Sequence, residues 1–275
     1  MEEIFKADNS NQAPLLLEKR DGPVLRLEMN RAPANALSLE MMDAMKAAID
    51  AAAADDAVRV IILAAANPGK IFCAGHDLKE LTSHRADADA GAAFFDQTFR
   101  LCAELMLAIV ENPKPVIAEI DGLATAAGCQ LVATCDLAIC TDTSAFCTPG
   151  VNIGLFCSTP MVALTRNVHR KQAMEMLLTG ETIDASTAKE FGLVNRIVPR
   201  QYLQQVMDKY AGTIAAKPQA TLSVGKRAFH EQAELGLREA YDYTAKVMVQ
   251  NMLASESTEG IGAFLEKRMP DWSRV

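Results

Sequence analysis

The sequence lacks several features that would each assign it to a common class of protein. It has no apolar run of the roughly 18 residues that would indicate a membrane span, and its alanine-rich stretches, such as residues 51–54, are short. It also lacks an excess of positive charge, since 27 Lys and Arg stand against 35 Asp and Glu, a formal net charge of −8. Nucleic-acid-binding proteins normally present a basic surface. We therefore expect neither a membrane protein nor a nucleic-acid partner.

The seven cysteines lack the spacing of a metal site. The sequence contains no C-x-x-C pair and no histidine at ligand spacing from a cysteine, so we expect no zinc site. An odd number of cysteines, mostly within apolar segments, fits free thiols in a reducing compartment. The N-terminal segment MEEIFKADNSNQ resembles neither a secretory signal nor an Arg-rich transit peptide. A cytoplasmic location is the default expectation.

The sequence does have the length and composition of a soluble globular protein: 275 residues, of which 50% are hydrophobic and 23% charged. Strand patterns alternate with helical patterns as far as about residue 199, and the remainder is helical throughout. This arrangement predicts an α/β core over residues 1–199 and a helical region over residues 200–275. We expect the apolar faces of the last helices to pack on the core or on another subunit.

The most informative stretch runs from Asp121 to Gly154. The apolar strand PVIAEI leads into a turn at Asp121-Gly122, and a run of very small residues, Ala124–Gly128, then begins a short helix. Small residues let backbone N–H groups approach a ligand, and a helix start adds unpaired donors and a favourable dipole. Such a turn suits stabilisation of an oxyanion. The local sequence by itself nevertheless favours simple packing of the helix on its strand.

A second strand-to-helix junction, IFCAGHDLKEL, also has small residues at its bend. It belongs to a series of five segments in fixed order between about Leu15 and Trp272. These are NRAPANALS, IFCAGHDLKEL, NPKPVIAEIDGLATAAGCQLVATCDLAI, GETIDASTAKEFGLVNRIVP and EGIGAFLEKRMPDW. Together they resemble the crotonase superfamily, also called the enoyl-CoA hydratase/isomerase family. The segments AAGCQLVATCDLAI and TPGVNIGLFCSTP also resemble one subgroup within that family.

The resemblance implies a crotonase-type spiral of ββα units with a C-terminal helical trimerisation region. It implies an acyl-CoA thioester substrate, with coenzyme A as part of that substrate and no separate cofactor, and a homotrimer or a dimer of trimers. By motif, the backbone N–H groups of His76 and Ala127 hold the thioester oxygen, and one donor of this kind is worth about 2.7–4 kcal/mol. Alanine at position 127, where relatives often have glycine, keeps that N–H. For the His76 side chain we favour the absence of a chemical role.

The resemblance also implies where coenzyme A lies. The residues expected around it are Ala34, Ala36, Ala74, His76, Asp77, Leu78 and Lys79. Lys267 or Arg268 is a further candidate for a charge contact, from the same or a neighbouring subunit. A solvated helix end, favoured by the helix dipole, explains these last two cations equally well.

The sequence departs from the family at the two glutamates that handle water and protons in its hydratases. Their positions are occupied by Gln130 and Gly150. Glutamine binds water but cannot exchange a proton near neutral pH, and paired carboxylates are the usual equipment for such acid–base work. Isomerases of the family usually keep the second carboxylate. Cys147 or Cys157 is a conceivable nucleophile, but a buried structural role is favoured for both.

Two hypotheses follow for function. The first is an enoyl-CoA hydratase-like lyase or isomerase of fatty-acid or related metabolism, with a non-standard active site and without efficient hydration. The second is a catalytically inactive protein that binds acyl-CoA for a regulatory purpose. The retained oxyanion elements favour the first hypothesis, and the replaced glutamates favour the second.

Overall fold

The protein is described here from a computed structural model that covers residues 13–272. Those residues form ten strands: β1 (Leu16–Asp21), β2 (Val24–Met29), β3 (Val60–Ala65), β4 (Ile71–Cys73), β5 (Val116–Ile120), β6 (Leu123–Thr125), β7 (Leu137–Thr141), β8 (Ala145–Cys147), β9 (Ile183–Asp184) and β10 (Arg196–Val198). They also form eleven α-helices: α1 (Leu39–Ala54), α2 (Leu78–Ser83), α3 (Ala92–Val110), α4 (Ala127–Thr134), α5 (Ser158–Asn167), α6 (Arg170–Thr179), α7 (Ala185–Glu190), α8 (Leu203–Ala215), α9 (Gln219–Ala233), α10 (Leu237–Met252) and α11 (Ser255–Leu265). Short 3₁₀ helices span His84–Ala86, Pro149–Ile153 and Arg200–Tyr202.

The strands form two sheets. The larger has the order β1-β2-β3-β5-β7-β10, in which β1 and β2 pair antiparallel and the remaining neighbours pair parallel. The smaller has the order β4-β6-β8-β9, in which β4, β6 and β8 are parallel and β9 is antiparallel. The antiparallel start and the alternation of strands with helices agree with the α/β class predicted from the sequence.

Both faces of the larger sheet are covered, which explains why its central strands are continuously apolar. Along β3, Val60 and Ile62 point into a cluster with α8, whereas Ile61 and Leu63 point into the main core on the opposite face. This alternation follows from the two-residue period of a strand. Parallel strands buried on both faces are expected to lack polar positions.

Helix α1 shows how the local sequence determines one layer of this core. The Ser38 side chain accepts a hydrogen bond from the Met41 backbone N–H at 3.2 Å, so Ser38 is the predicted N-cap. The predicted apolar spacing then buries Met42, Met45 and Ile49 against the main core. The helix therefore begins at the residue that the sequence predicts and turns its predicted apolar face toward the core.

The small sheet brings three loops to one edge. The chain leaves β4 into Ala74–His76, leaves β6 into Ala126 and helix α4, and leaves β8 into the segment 148–150. Because these three strands are parallel neighbours, their carboxyl ends lie at the same edge. The two small-residue junctions and the Gly150 turn therefore lie together at one edge of the smaller sheet.

The C-terminal helices differ in how much of their surface is covered. Helix α8 packs Leu203, Met207 and Ala211 against the larger sheet. By contrast, helices α10 and α11 leave large apolar side chains such as Leu237, Tyr241 and Phe264 exposed in the single chain. The division at residue 199 stays a prediction. Within the described residues, no helix has both the length and the hydrophobicity required to cross a bilayer.

A buried ion pair attaches α9 to the core. The Lys226 ammonium donates to Asp136 Oδ2 at 2.7 Å, to the Ile109 carbonyl oxygen at 2.8 Å and to the Lys114 carbonyl oxygen at 3.1 Å. The same Asp136 oxygen accepts from the Val116 backbone N–H at 2.7 Å. One lysine thereby connects α9 to the end of α3, the start of β5 and the turn before β7.

We predict that Lys226→Met lowers the free energy of unfolding by up to about 3–5 kcal/mol, because the part-buried Asp136 carboxylate loses its nearest cation and keeps only His230, at 3.8 Å. Urea unfolding followed by circular dichroism measures this change. Lys171→Met, at an exposed lysine on α6, is the matched control and should have little effect. Equal stability of both variants would show that the Lys226 cluster does not hold α9.

Candidate active site

The two small-residue junctions contact each other through their backbones. Gly75 has a φ of +80°, and a Cβ atom added there would lie 2.9 Å from the Ala127 backbone nitrogen and 2.9 Å from Ala126 Cβ. Cβ carbons in real structures are essentially never found within 3.0 Å of such atoms. Glycine at position 75 is therefore the condition for bringing the His76 and Ala127 backbones together.

The turn that begins α4 holds a strained residue. Ala126 has φ 51° and ψ −120°, and it occupies the N-cap position without a side-chain hydrogen bond. Its own backbone N–H donates to the Cys147 carbonyl oxygen at 3.0 Å, which fixes the turn to the end of β8. A non-glycine residue in such a conformation costs of order 1–3 kcal/mol and is often found at functional sites. The N–H groups of Ala127, Gly128 and Cys129 are first-turn donors without an intrahelical acceptor. The Gln130 N–H is the first to donate within the helix, to the Ala126 carbonyl oxygen at 3.0 Å.

Gly128 makes the reciprocal contact. A Cβ atom at this position would lie only 2.2 Å from the Cys73 carbonyl oxygen at the end of β4. The first turn of α4 is therefore pressed directly against the strand that leads to His76. Each junction contributes one glycine that meets the backbone of the other.

A third segment, from the NRAPANALS motif, lies alongside the His76 loop. The Ala74 N–H donates to the Ala34 carbonyl oxygen at 3.0 Å, and the Leu37 N–H donates to the Gly75 carbonyl oxygen at 2.8 Å. The Asn35 side chain donates to the Phe72 carbonyl oxygen at 3.1 Å and holds the two segments together. The structure thus brings Ala34 and Ala36 beside Ala74 and His76.

An ion pair that the sequence analysis missed lies on this surface. Arg31 Nη2 is 2.6 Å from Asp77 Oδ2, and Arg31 Nη1 donates to the Ala36 carbonyl oxygen at 3.3 Å. Burial alone would raise the pKa of Asp77, but Arg31 and the backbone N–H groups of Glu80 and Lys79 outweigh it and lower the pKa. Leu78 and Lys79 are exposed on α2. Nothing in the spacing of NRAPANALS indicated that its arginine would pair with the N-cap of α2.

The His76 side chain has an unusual environment. Both ring nitrogens are buried, and neither has a hydrogen-bond partner among residues 13–272. The ring meets Phe99 of α3 edge to face, with centroids 5.3 Å apart and planes at 80°. Burial lowers the pKa of His76, and the nearby Leu37 carbonyl opposes this only in part. The imidazole is therefore neutral at physiological pH.

Gln130 and Gly150 occupy their positions in different ways. The Gln130 side chain is buried, and the Cys102 thiol of α3 lies 3.9 Å from its Oε1. At Gly150 an added Cβ atom would lie 2.7 Å from the Leu155 carbonyl oxygen and 2.9 Å from Cys157 Sγ. The space for a side chain at position 150 is thus filled by the turn that follows it.

The surroundings of the two candidate nucleophiles, Cys147 and Cys157, indicate a structural role for both. The Cys147 thiol is buried, with Sγ 3.2 Å from Thr125 Oγ1. Burial raises the pKa of Cys157 above its ordinary value, which keeps that thiol protonated and weakly nucleophilic. In the part of the chain that the structure describes, no three His, Cys, Asp or Glu side chains are grouped to hold a metal ion.

Lys267 is not brought to this site within one chain. It follows α11 with a φ of 56° and is exposed, and no hydrogen bond or ion pair within the described range joins it to the His76 loop. Arg268 forms ion pairs with Glu259 and Glu266, each at 2.6 Å.

Comparison with known proteins identifies the family of this chain. Residues 19–274 match the family described as enoyl-CoA hydratase/isomerase. The chain is 44% identical over 271 residues to enoyl-CoA hydratase domain-containing protein 3, mitochondrial, of Xenopus laevis, covering 98% of this chain and 90% of that protein. A crystal structure of enoyl-CoA hydratase from Mycobacterium smegmatis is 47% identical, covers 95% of this chain and 100% of its own, and gives a TM-score of 0.89. The crystal structure of human enoyl Coenzyme A hydratase domain-containing protein 3 is 42% identical, covers 94% of this chain and 100% of its own, and also gives 0.89.

These similarities confirm the predicted superfamily and its α/β fold. The subgroup that the sequence resembles is enoyl-CoA hydratase domain-containing protein 3. The similarities contradict the cytoplasmic expectation, because the Xenopus laevis and human relatives of that name are designated mitochondrial. That expectation was wrong because reduced cysteines do not distinguish one reducing compartment from another. The segment MEEIFKADNSNQ, on which it also depended, lies outside the described residues.

We predict that Gly128→Ala lowers the free energy of unfolding by at least about 1–3 kcal/mol, since the new methyl group overlaps a backbone carbonyl that cannot rotate away. Gly212→Ala is the control, because this helical glycine has nothing within 4 Å of the added Cβ atom. That control should stabilise the protein by about 0.5–1 kcal/mol. Denaturant unfolding compares the two, and a stable Gly128→Ala variant would contradict the close packing of the junctions.

Proposed function

Because this chain belongs to the enoyl-CoA hydratase/isomerase family, we propose that it is an enzyme of acyl-CoA thioesters. In this proposal the backbone N–H groups of His76 and Ala127 hold the thioester oxygen and stabilise the negative charge that develops on it. Coenzyme A is part of the substrate, and no separate cofactor takes part. The setting is fatty-acid or related carboxylic-acid metabolism.

The observation that carries the proposal is the close approach of the two junctions. A Cβ atom at position 75 would lie 2.9 Å from the Ala127 nitrogen. Because Gly75 has none, the two backbone segments can pack directly against each other. The strained turn at Ala126 is further support, because strain of this kind persists where surrounding contacts hold a functional geometry. Two fixed donors in a site from which water is excluded are the usual means of stabilising an enolate oxygen.

The coenzyme A portion would run along the surface formed by the NRAPANALS loop and α2. Ala34, Ala36 and Ala74 contribute small side chains there, and Leu78 and Lys79 are exposed beside them. The Arg31–Asp77 ion pair fixes the start of α2 against the loop. Lys267 would join this surface from a partner chain in a homotrimer or a dimer of trimers. Exposed apolar side chains on α10 and α11 support such self-association.

Ordinary hydration is not the reaction that this site supports. Neither Gln130 nor Gly150 can activate water or deliver its proton. The alternative is an inactive acyl-CoA-binding protein, which the same two positions favour. We prefer an enzyme, because an oxyanion site held by strained backbone has no evident use in binding alone.

We predict that a saturating short acyl-CoA such as butyryl-CoA raises the melting temperature, because it binds the folded chain and not the unfolded one. The expected gain is about 2.7 kcal/mol at a ligand concentration 100 times the dissociation constant. Differential scanning fluorimetry measures the shift, with free adenosine as the control ligand. No shift at any concentration would remove both the enzyme and the binding-protein proposals.

We also predict that crotonyl-CoA is hydrated about 10²–10⁴-fold more slowly than by a relative with both glutamates, the range ascribed to lost acid–base catalysis. Gln130→Glu combined with Gly150→Glu should not restore the rate, because the second side chain would collide with the Leu155 carbonyl. Gln130→Glu alone is the control for folding. A wild-type rate equal to that of the relative would mean that another group activates water.

A further inference from the structure

The imidazole of His76 is left without a role if the residue contributes only its backbone N–H. Both ring nitrogens are buried and have no hydrogen-bond partner within residues 13–272. A buried polar group in this state costs roughly 1–3 kcal/mol. Native proteins retain few such groups, and a catalytic role is one recognised reason for keeping one.

Covalent geometry keeps this ring beside the proposed reacting centre. The ring nitrogens of a histidine lie roughly 3–5 Å from the backbone nitrogen of the same residue. An oxygen bound by the His76 N–H at about 3 Å therefore lies within roughly 6–8 Å of the ring nitrogens. The contact between Gly75 and the Ala127 nitrogen fixes the second donor in the same small volume.

Helix α3 connects the ring with the position of a missing glutamate. Phe99 meets the His76 ring edge to face, and Cys102 approaches the Gln130 carboxamide at 3.9 Å. Residues three apart lie on the same face of a helix, so His76 and Gln130 stand beside successive turns of one face of α3. The imidazole thus lies against the same helix as Gln130, the residue at one of the two usual glutamate positions.

The state of the imidazole suits proton transfer. Burial lowers its pKa, so the neutral ring offers one N–H donor and one lone-pair acceptor. A neutral imidazole is an effective general base near neutral pH. The neighbouring carboxylate of Asp77 is occupied by Arg31.

We propose that the His76 imidazole is the catalytic base of this site and that it enolises the bound acyl-CoA, an inference that rests on the proposed function. A ring nitrogen takes the proton from the α-carbon, and the C–H electron pair forms the carbon–carbon double bond of the enolate. The π pair of the thioester carbonyl moves onto oxygen, where the N–H groups of His76 and Ala127 hold it. The imidazolium then returns its proton to the α-carbon or, in a 3-enoyl substrate, to the γ-carbon, which moves the double bond.

Two probes test this step in the full-length protein. Butyryl-CoA in D₂O reports enolisation as deuterium at the α-carbon by mass spectrometry, and trans-3-hexenoyl-CoA reports it as absorbance of the conjugated 2-enoyl product. His76→Gln keeps the backbone N–H and removes the base, and we expect at least one reaction to slow by about 10²-fold or more. His76→Phe keeps a ring against Phe99 and should be equally slow. His169→Gln, at an exposed histidine, should react as the wild type does.

The outcomes separate this inference from the proposed function. Butyryl-CoA binding, measured by the melting shift, should be retained in His76→Gln while the reaction is lost. If the wild type binds butyryl-CoA but neither probe reacts, the inference fails and only binding stands. If both folded His76 variants react at the wild-type rate, the base is not His76, while the proposed acyl-CoA enzyme stands. If the wild type does not bind butyryl-CoA, the proposed function fails and this inference fails with it.

Discussion

The arrangement of the candidate site depends on backbone packed against backbone at two glycines. Gly75 of one junction faces the Ala127 nitrogen, and Gly128 of the other faces the Cys73 carbonyl oxygen. At both points a methyl group would overlap atoms that cannot rotate away, unlike the end of a flexible side chain. The loop of Ala34 is hydrogen-bonded to the first junction, and the end of β8 is hydrogen-bonded to the second. Removing either contact would therefore loosen both surfaces that an acyl-CoA would touch.

A second constraint is the low charge of the region behind these junctions. The usual glutamate positions carry an amide and a glycine, and burial keeps the His76 imidazole and the Cys157 thiol uncharged. The nearby carboxylate of Asp77 is neutralised by Arg31. Fixed donors act more strongly in a dry region of low dielectric than in water. In the proposed function, an enolate would therefore meet these uncharged groups and a paired carboxylate, and no free negative charge among them.

The sequence predicted those features that depend on local pattern. The two junctions, the Ser38 N-cap and the alternation of strands and helices all arise from residues close together in the chain. The Arg31–Asp77 pair, the three acceptors of Lys226 and the burial of the His76 ring depend on contacts across 46 to 117 residues or on helix packing. The cytoplasmic expectation was wrong because no residue pattern in the described chain reports the compartment. Long-range pairing and location leave little trace in single-sequence periodicity.

Gly150 illustrates why a glutamate could not simply be introduced at a position where the family resemblance leads us to expect one. From the sequence, this position looked like a simple deletion of a carboxylate. In the structure the Leu155 carbonyl oxygen and Cys157 Sγ fill the direction in which that side chain would project. A return to glutamate would thus require movement of backbone as well as a new side chain. The backbone N–H groups of the proposed oxyanion site, by contrast, are present in every residue type except proline. In the proposed function, charge stabilisation therefore depends on the backbone and the two glycines, whereas proton transfer depends on the side chains placed beside it.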